Sequence, residues 1–137
     1  MIRINFILIV TTFLILSSCQ IFDDGTNSII TEKLSPNKRL KLIVFEKTGN
    51  ATTDSSIHAS IIPSQTKLNN KHKGNIFIAD EFHKTNYSRD SFLLIKWIDD
   101  STIEINYPSL VRLFKIEEYL NMENEEIKIM HKSRKEY

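Results

Sequence analysis

The chain has 137 residues, enough for one compact domain and too few for separate cofactor and substrate lobes. A hydrophobic share of 41% and a charged share of 26% exclude a wholly disordered chain and a bundle of membrane spans. Eighteen basic against seventeen acidic residues leave a net charge of +1, so no global field draws the chain to nucleic acid, which is set aside as a partner.

The first segment runs Met1-Ile2-Arg3, then a nearly unbroken apolar stretch from Ile4 to Leu16, then Leu16-Ser17-Ser18-Cys19. A positive start, a short apolar stretch and small residues before a cut site predict a secretory signal peptide over 1–18. The stretch is too short to cross a hydrocarbon core of about 30 Å as a settled helix. Cysteine at the junction is chemically pointed, because its sulfur is the softest side-chain nucleophile.

Leu16-Ser17-Ser18-Cys19 resembles the lipobox of bacterial lipoproteins. That resemblance implies cleavage before Cys19, a thioether-linked lipid with palmitate-type acyl chains on its sulfur, and a place on the extracytoplasmic side of a cell membrane or outer membrane. Each buried methylene is worth about 0.8 kcal/mol, so two or three acyl chains anchor a protein without a spanning helix. Cys19 is the only cysteine, so no intrachain disulfide forms. Loss of the leader removes Arg3 and leaves seventeen basic and seventeen acidic residues, from which the expectation is that the lipid alone holds the protein. Residues 19–28 read as a tether, in which Asp23 and Asp24 are solvated linker charge or, alternatively, part of a sorting signal.

From 29 to 137 the apolar residues recur mainly with period two in short segments bounded by Pro, Gly, Asn, Asp and Ser, which predicts a single, mainly β domain. The expected form is a small antiparallel sheet or β-sandwich-like domain of about six to eight strands. Ile29 to Leu34 is the first strand and Ser35-Pro36-Asn37-Lys38 its turn, with Asn37 the residue suited to a left-handed conformation. Arg39 to Lys47 is apolar on both sides and reads as a central strand covered on two faces. Ser55 to Ile62 follows, ended by Pro63, then a polar loop from Ser64 to Lys73 and a strand within Gly74 to Asp80. Glu81 to Asp90 is a polar connection.

Phe92 to Ile98 and Thr102 to Tyr107 form a hairpin around Asp99-Asp100-Ser101. Its buried side carries Leu93, Ile95, Trp97, Ile103, Ile105 and Tyr107; Thr102, Glu104 and Asn106 lie on the wet side. Trp97 reads as a core residue with its indole N–H near the margin, ahead of a ligand-stacking role. Leu110 to Met122 reads as a strand and turn, with a short helix as the alternative. Ile127, Ile129 and His131 alternate with lysines as a final edge strand.

No phosphate loop, paired-cysteine zinc site, zinc-protease helix or nucleophile elbow is present, so no cofactor and no catalytic residue is assigned. Asp80, Glu81 and His83 cluster at a strand end and supply the ligands of a rival reading, a small metal-assisted hydrolase; a solvated loop outweighs it. Thr52, Thr53, Ser55 and Ser56 crowd a turn near His58, but Ser56 and His58 share a strand face at a spacing poor for in-line activation, so backbone-bonded hydroxyls are expected. Asn50-Ala51-Thr52 and Asn86-Tyr87-Ser88 match glycosylation sequons, read as coincidence in a bacterial lipoprotein.

Three further patterns resemble a family of uncharacterised small bacterial lipoproteins and membrane-anchored domains: Ser35-Pro36-Asn37-Lys38-Arg39 leading to Ala51-Thr52-Thr53, Gly74 to Asp80, and Trp97 with Asp99, Asp100 and Tyr107. They cover about residues 35–107 and imply a fold and a compartment but no activity. The strands are also similar to one blade of a propeller, which implies a twisted antiparallel meander. The expected function is a membrane-anchored, non-catalytic binding or cell-envelope accessory module, attached through its N-terminal lipid and open to a protein partner in the envelope. A toxin-immunity lipoprotein is the third reading.

Overall fold

The computed structural model describes residues 25–49, 54–80, 85–122 and 124–135. Among them nine strands build two sheets: β1 (Asn27–Leu34), β2 (Leu40–Lys47), β3 (Ser56–Pro63), β4 (Phe77–Asp80), β5 (Leu94–Asp99), β6 (Thr102–Pro108), β7 (Arg112–Ile116), β8 (Tyr119–Met122) and β9 (Glu125–Arg134). One helical turn, α1 (Arg89–Phe92), precedes β5. The first sheet has the order β1-β2-β3-β4-β7 and the second β5-β6-β9-β8. The expected small, mainly β domain is present, in its two-sheet form and with one strand more than the upper expectation.

Strands β1 to β4 run as an antiparallel meander. The first hairpin turns where Ser35 and Pro36 predict, but Lys38 takes the left-handed conformation (φ 60) in place of Asn37. Asn37 is engaged otherwise: its carboxamide oxygen accepts from Ser35 Oγ at 2.9 Å and from the Arg39 amide at 3.0 Å. The register Leu42↔Ile61 and Val44↔Ala59 puts these side chains on the inner face. There they join Ile95, Ile103, Ile105, Ile127 and Ile129 of the second sheet in one buried core. Burying both inner faces against each other supplies the apolar burial that a domain this small needs.

Strand β2 is covered on both faces as its composition predicts. Its outer residues Ile43 and Phe45 form a second cluster with Ile62, closed by Leu68 from the segment 64–73. That segment is therefore a strap over the outside of the first sheet. The hairpin of β5 and β6 has the expected partners, Ile95↔Ile105 and Trp97↔Ile103. Trp97 packs half-buried against the core and its Nε1–H donates to Lys33 O at 3.0 Å, which with Lys33 Nζ to Ile95 O at 2.7 Å stitches β1 to β5.

One alternative is closed and two expectations are corrected. First, the strand reading of 110–122 holds over its helix alternative: the chain there makes β7 and β8, whose backbone groups pair with β4 and β9. The Glu117 amide donates to Ile76 O at 3.0 Å and Glu118 O accepts from the Ile129 amide at 2.8 Å, so the chain passes from one sheet to the other between these two residues. The final strand is not an edge: β9 lies between β6 and β8 and is parallel to β6. The segment from 109 to 124 carries the crossover that parallel pairing requires. Third, the polar side of β6 is not simply wet, since Glu104 is only 6% exposed.

Ile105→Ala, at the centre of the shared core, is expected to lower stability by about 3 kcal/mol, whereas Phe114→Ala on exposed β7 changes it by less than about 0.5 kcal/mol. Urea midpoints at unchanged slope check both.

Candidate functional site

Three polar constellations and one apolar strip are the candidates for function. The first lies on the outer face of the first sheet beneath the strap. His58, 4% exposed, stacks beside Phe45 with ring centroids 5.2 Å apart. Its Nδ1 accepts the Gly74 N–H at 2.8 Å. A neutral imidazole with Nδ1 accepting carries its proton on Nε2, so the 2.8 Å contact to Ser56 Oγ has Nε2–H donating to the hydroxyl. The ring therefore cannot withdraw the Ser56 proton, and the pair is a structural bridge. Burial first, then the Lys47 and Lys73 ammoniums, push the His58 pKa from 6.5 down to about 4.

The strap is fastened by side chains that replace a missing strand. Asn75 mimics a ladder rung, its Oδ1 accepting from the Ile61 amide at 2.9 Å and its Nδ2 donating to Ile61 O at 2.7 Å. Gly74 approaches backbone so closely that a Cβ would sit 2.3 Å from Phe77 O and 3.1 Å from Ala59 O. Asn27 Nδ2 donates to Asn69 O at 2.7 Å and His72 O at 3.0 Å, and Lys47 Nζ donates to Asn70 O at 2.8 Å. The strap thus ends beside the start of β1.

The second constellation is Asp80, the 5% exposed end of β4. Arg112 of β7 takes both carboxylate oxygens, Nε to Oδ1 at 3.0 Å and Nη2 to Oδ2, while its guanidinium lies 4.9 Å over the Phe114 ring. The rival metal reading needs Asp80 as a ligand; a fork-shaped cation already engages both of its oxygens. Among the described residues no group of three histidine, cysteine or acidic side chains is placed to hold a metal. Glu81 and His83 lie outside the described residues, as do Cys19, Asp23, Asp24, Asn50, Thr52 and Thr53. Ser55 is half-buried before β3 and Asn86 is exposed before α1.

The third constellation is Glu104 on the outer face of the second sheet. It receives Lys132 Nζ at 2.6 Å, Lys96 Nζ at 3.2 Å and Asn106 Nδ2 at 3.0 Å. The Lys132 bond first, then Asn106 and Lys96, hold its pKa down to about 2. Alternation marked Glu104 as wet; Lys96 faces it across the predicted hairpin, while Lys132 comes from β9, whose pairing with β6 no local pattern reveals.

The apolar strip runs along 110–119. Leu110 (62% exposed), Phe114 (60%) and Tyr119 are exposed on β7, β8 and the turn before them, and Leu113 and Ile116, paired with the core residues Ala79 and Phe77, are partly open to solvent. Strands β7 and β8 are the terminal strands of their sheets, so this strip borders unpaired edges. Compared with known proteins, the chain matches no family model, no curated protein and no solved structure.

Above pH 6.5 the His58 ring is neutral folded and unfolded. Between 6.5 and about 4 the unfolded chain takes up a proton that the native fold refuses, so stability falls as pH drops, by roughly 2 kcal/mol after solvent screening is allowed for. Urea unfolding from pH 7 to 4.5 is expected to show this decline, and His58→Gln to flatten it whatever its stability at pH 7.

Proposed function

We propose that this chain is a lipid-anchored binding module on the extracytoplasmic side of a bacterial membrane, held by acylated Cys19 and offering the 110–119 strip to a protein partner in the envelope. Leu16-Ser17-Ser18-Cys19 supports the anchor, and the short run from Cys19 to Asn27 supports a domain carried close to the membrane. Eight residues reach at most about 28 Å when extended.

The observation that carries the binding role is the contrast between the polar clusters and the strip. His58, Asp80 and Glu104 each bond to partners within the fold through both of their polar atoms. Leu110, Phe114 and Tyr119 spend apolar surface on solvent at a sheet border. Apolar side chains grouped beside unpaired backbone are the features that a docking segment uses, through backbone bonding and side-chain burial together.

Metabolic labelling with a fatty acid, with and without globomycin, tests the anchor. The expected result is a labelled mature product in the natural chain and none in Cys19→Ala; unlabelled protein, or normal processing of the variant, overturns it. Crosslinking from position 114 in the native envelope tests the docking role, and loss of the crosslinked product in Leu110→Asp/Tyr119→Asp is the expected outcome.

A further inference from the structure

We propose that the tether end of the domain carries a second, electrostatic membrane contact, in which Lys47, Lys71 and Lys73 dock on anionic phospholipid headgroups. The inference rests on the lipid anchor proposed above for its geometry and goes beyond it in naming a surface and its partner.

The neutral charge balance hides a segregation that folding produces. Between Asp54 and Asp80 the sequence holds no carboxylate, yet it contains Lys67, Lys71 and Lys73. This stretch includes the strap, and the strap crosses the outer face of the first sheet to finish at Asn27, where the tether enters the fold. Lys47, from the end of β2, joins it there through Asn70 O. That Lys47 and Lys73 both act on His58 shows that ammoniums from two separate segments converge. Lys71 and Lys73 are exposed. Of the flanking carboxylates, Glu46 is held by Arg89 at 2.8 Å and Asp80 by Arg112, while Asp54 is a single exposed opposing charge two residues before the Ser56 that pairs with Lys47.

The opposite end is mixed in charge: the Asn37 amide donates to Asp100 at 2.8 Å and Arg39 pairs with Glu125 at 3.1 Å, which places the carboxylates of the 99–101 turn and the start of β9 beside Lys38 and Arg39, a strand length from Asn27. A domain whose exposed lysines lie at its lipid end is oriented by a negative surface. Each lysine near an anionic bilayer contributes about a fivefold gain in partition, an effect that fades within about 10 Å in 0.1 M salt. Contact therefore needs the lysines at the tether end, where the fold puts them. Asp23 and Asp24 add an opposing charge in the tether, so the test reads the lysines individually.

Mature, lipidated protein is reconstituted on phosphatidylcholine vesicles or on phosphatidylcholine mixed with phosphatidylglycerol, floated, and labelled briefly with an amine-acetylating reagent. Lys71 and Lys73 are expected to be labelled about threefold more slowly on the anionic vesicles and to recover in high salt, with Lys96 and Lys132 unchanged between compositions. Equal labelling of Lys71 and Lys73 on both vesicle types overturns the proposal while flotation on phosphatidylcholine alone upholds the acyl anchor. Flotation on anionic vesicles only, with protection of the same lysines, upholds the contact and rejects the acyl anchor; flotation on neither rejects both.

Discussion

The bond from the Gly74 amide to His58 Nδ1 is the contact on which the outer half of the molecule depends. It fixes the imidazole tautomer and, through it, the direction of the Ser56 bond. It also pins the returning end of the strap against the sheet, so that Leu68 covers Ile43, Phe45 and Ile62. A side chain at 74 has no room, since backbone oxygens occupy the place of its Cβ. Glycine, a neutral histidine and a covered second face of β2 are thus one structural fact seen from three residues.

The inner half depends on a different constraint, the passage of the chain from one sheet to the other at Glu117 and Glu118. Strand β7 completes the first sheet and β8 the second, and the length between β6 and β9 lets those two strands run parallel. On the other side Lys33 and Trp97 bridge β1 and β5 through side chains and carbonyls. The core is therefore fastened by backbone along one flank and by side chains along the other. The exposed apolar side chains of 110–119 go with this arrangement, because strands that end two sheets leave side chains at an edge partly open to solvent.

Charge is distributed by the same strap. Internal pairing absorbs Asp80 and Glu104, so the groups that suggested chemistry serve the fold. Lys71 and Lys73 stay exposed on the strap that ends near Asn27, a local basic feature that the near-zero total conceals. Local charge of this kind bears more on orientation at a charged surface than the net value does.

Period-two alternation, turn residues and Pro63 made the first six strands, the 35–38 turn and the β5–β6 hairpin legible, because each depends on neighbours within a few residues. The lipobox-like run at Cys19 is equally local, and no described residue bears on it. Short-range pattern could not tell that β9 is interior, that β7 and β8 close two different sheets, that Lys38 and not Asn37 takes positive φ, or that Glu104 is covered. It also could not bring Lys47 to the strap, since its bond to Asn70 O forms only when the strap folds back across the sheet. Sequence by itself determined the strand grammar, the single domain and the reason to suspect an anchor. Tertiary structure decided sheet order, the tautomer of His58 and where the charges lie, because these are set by contacts between residues far apart in the chain.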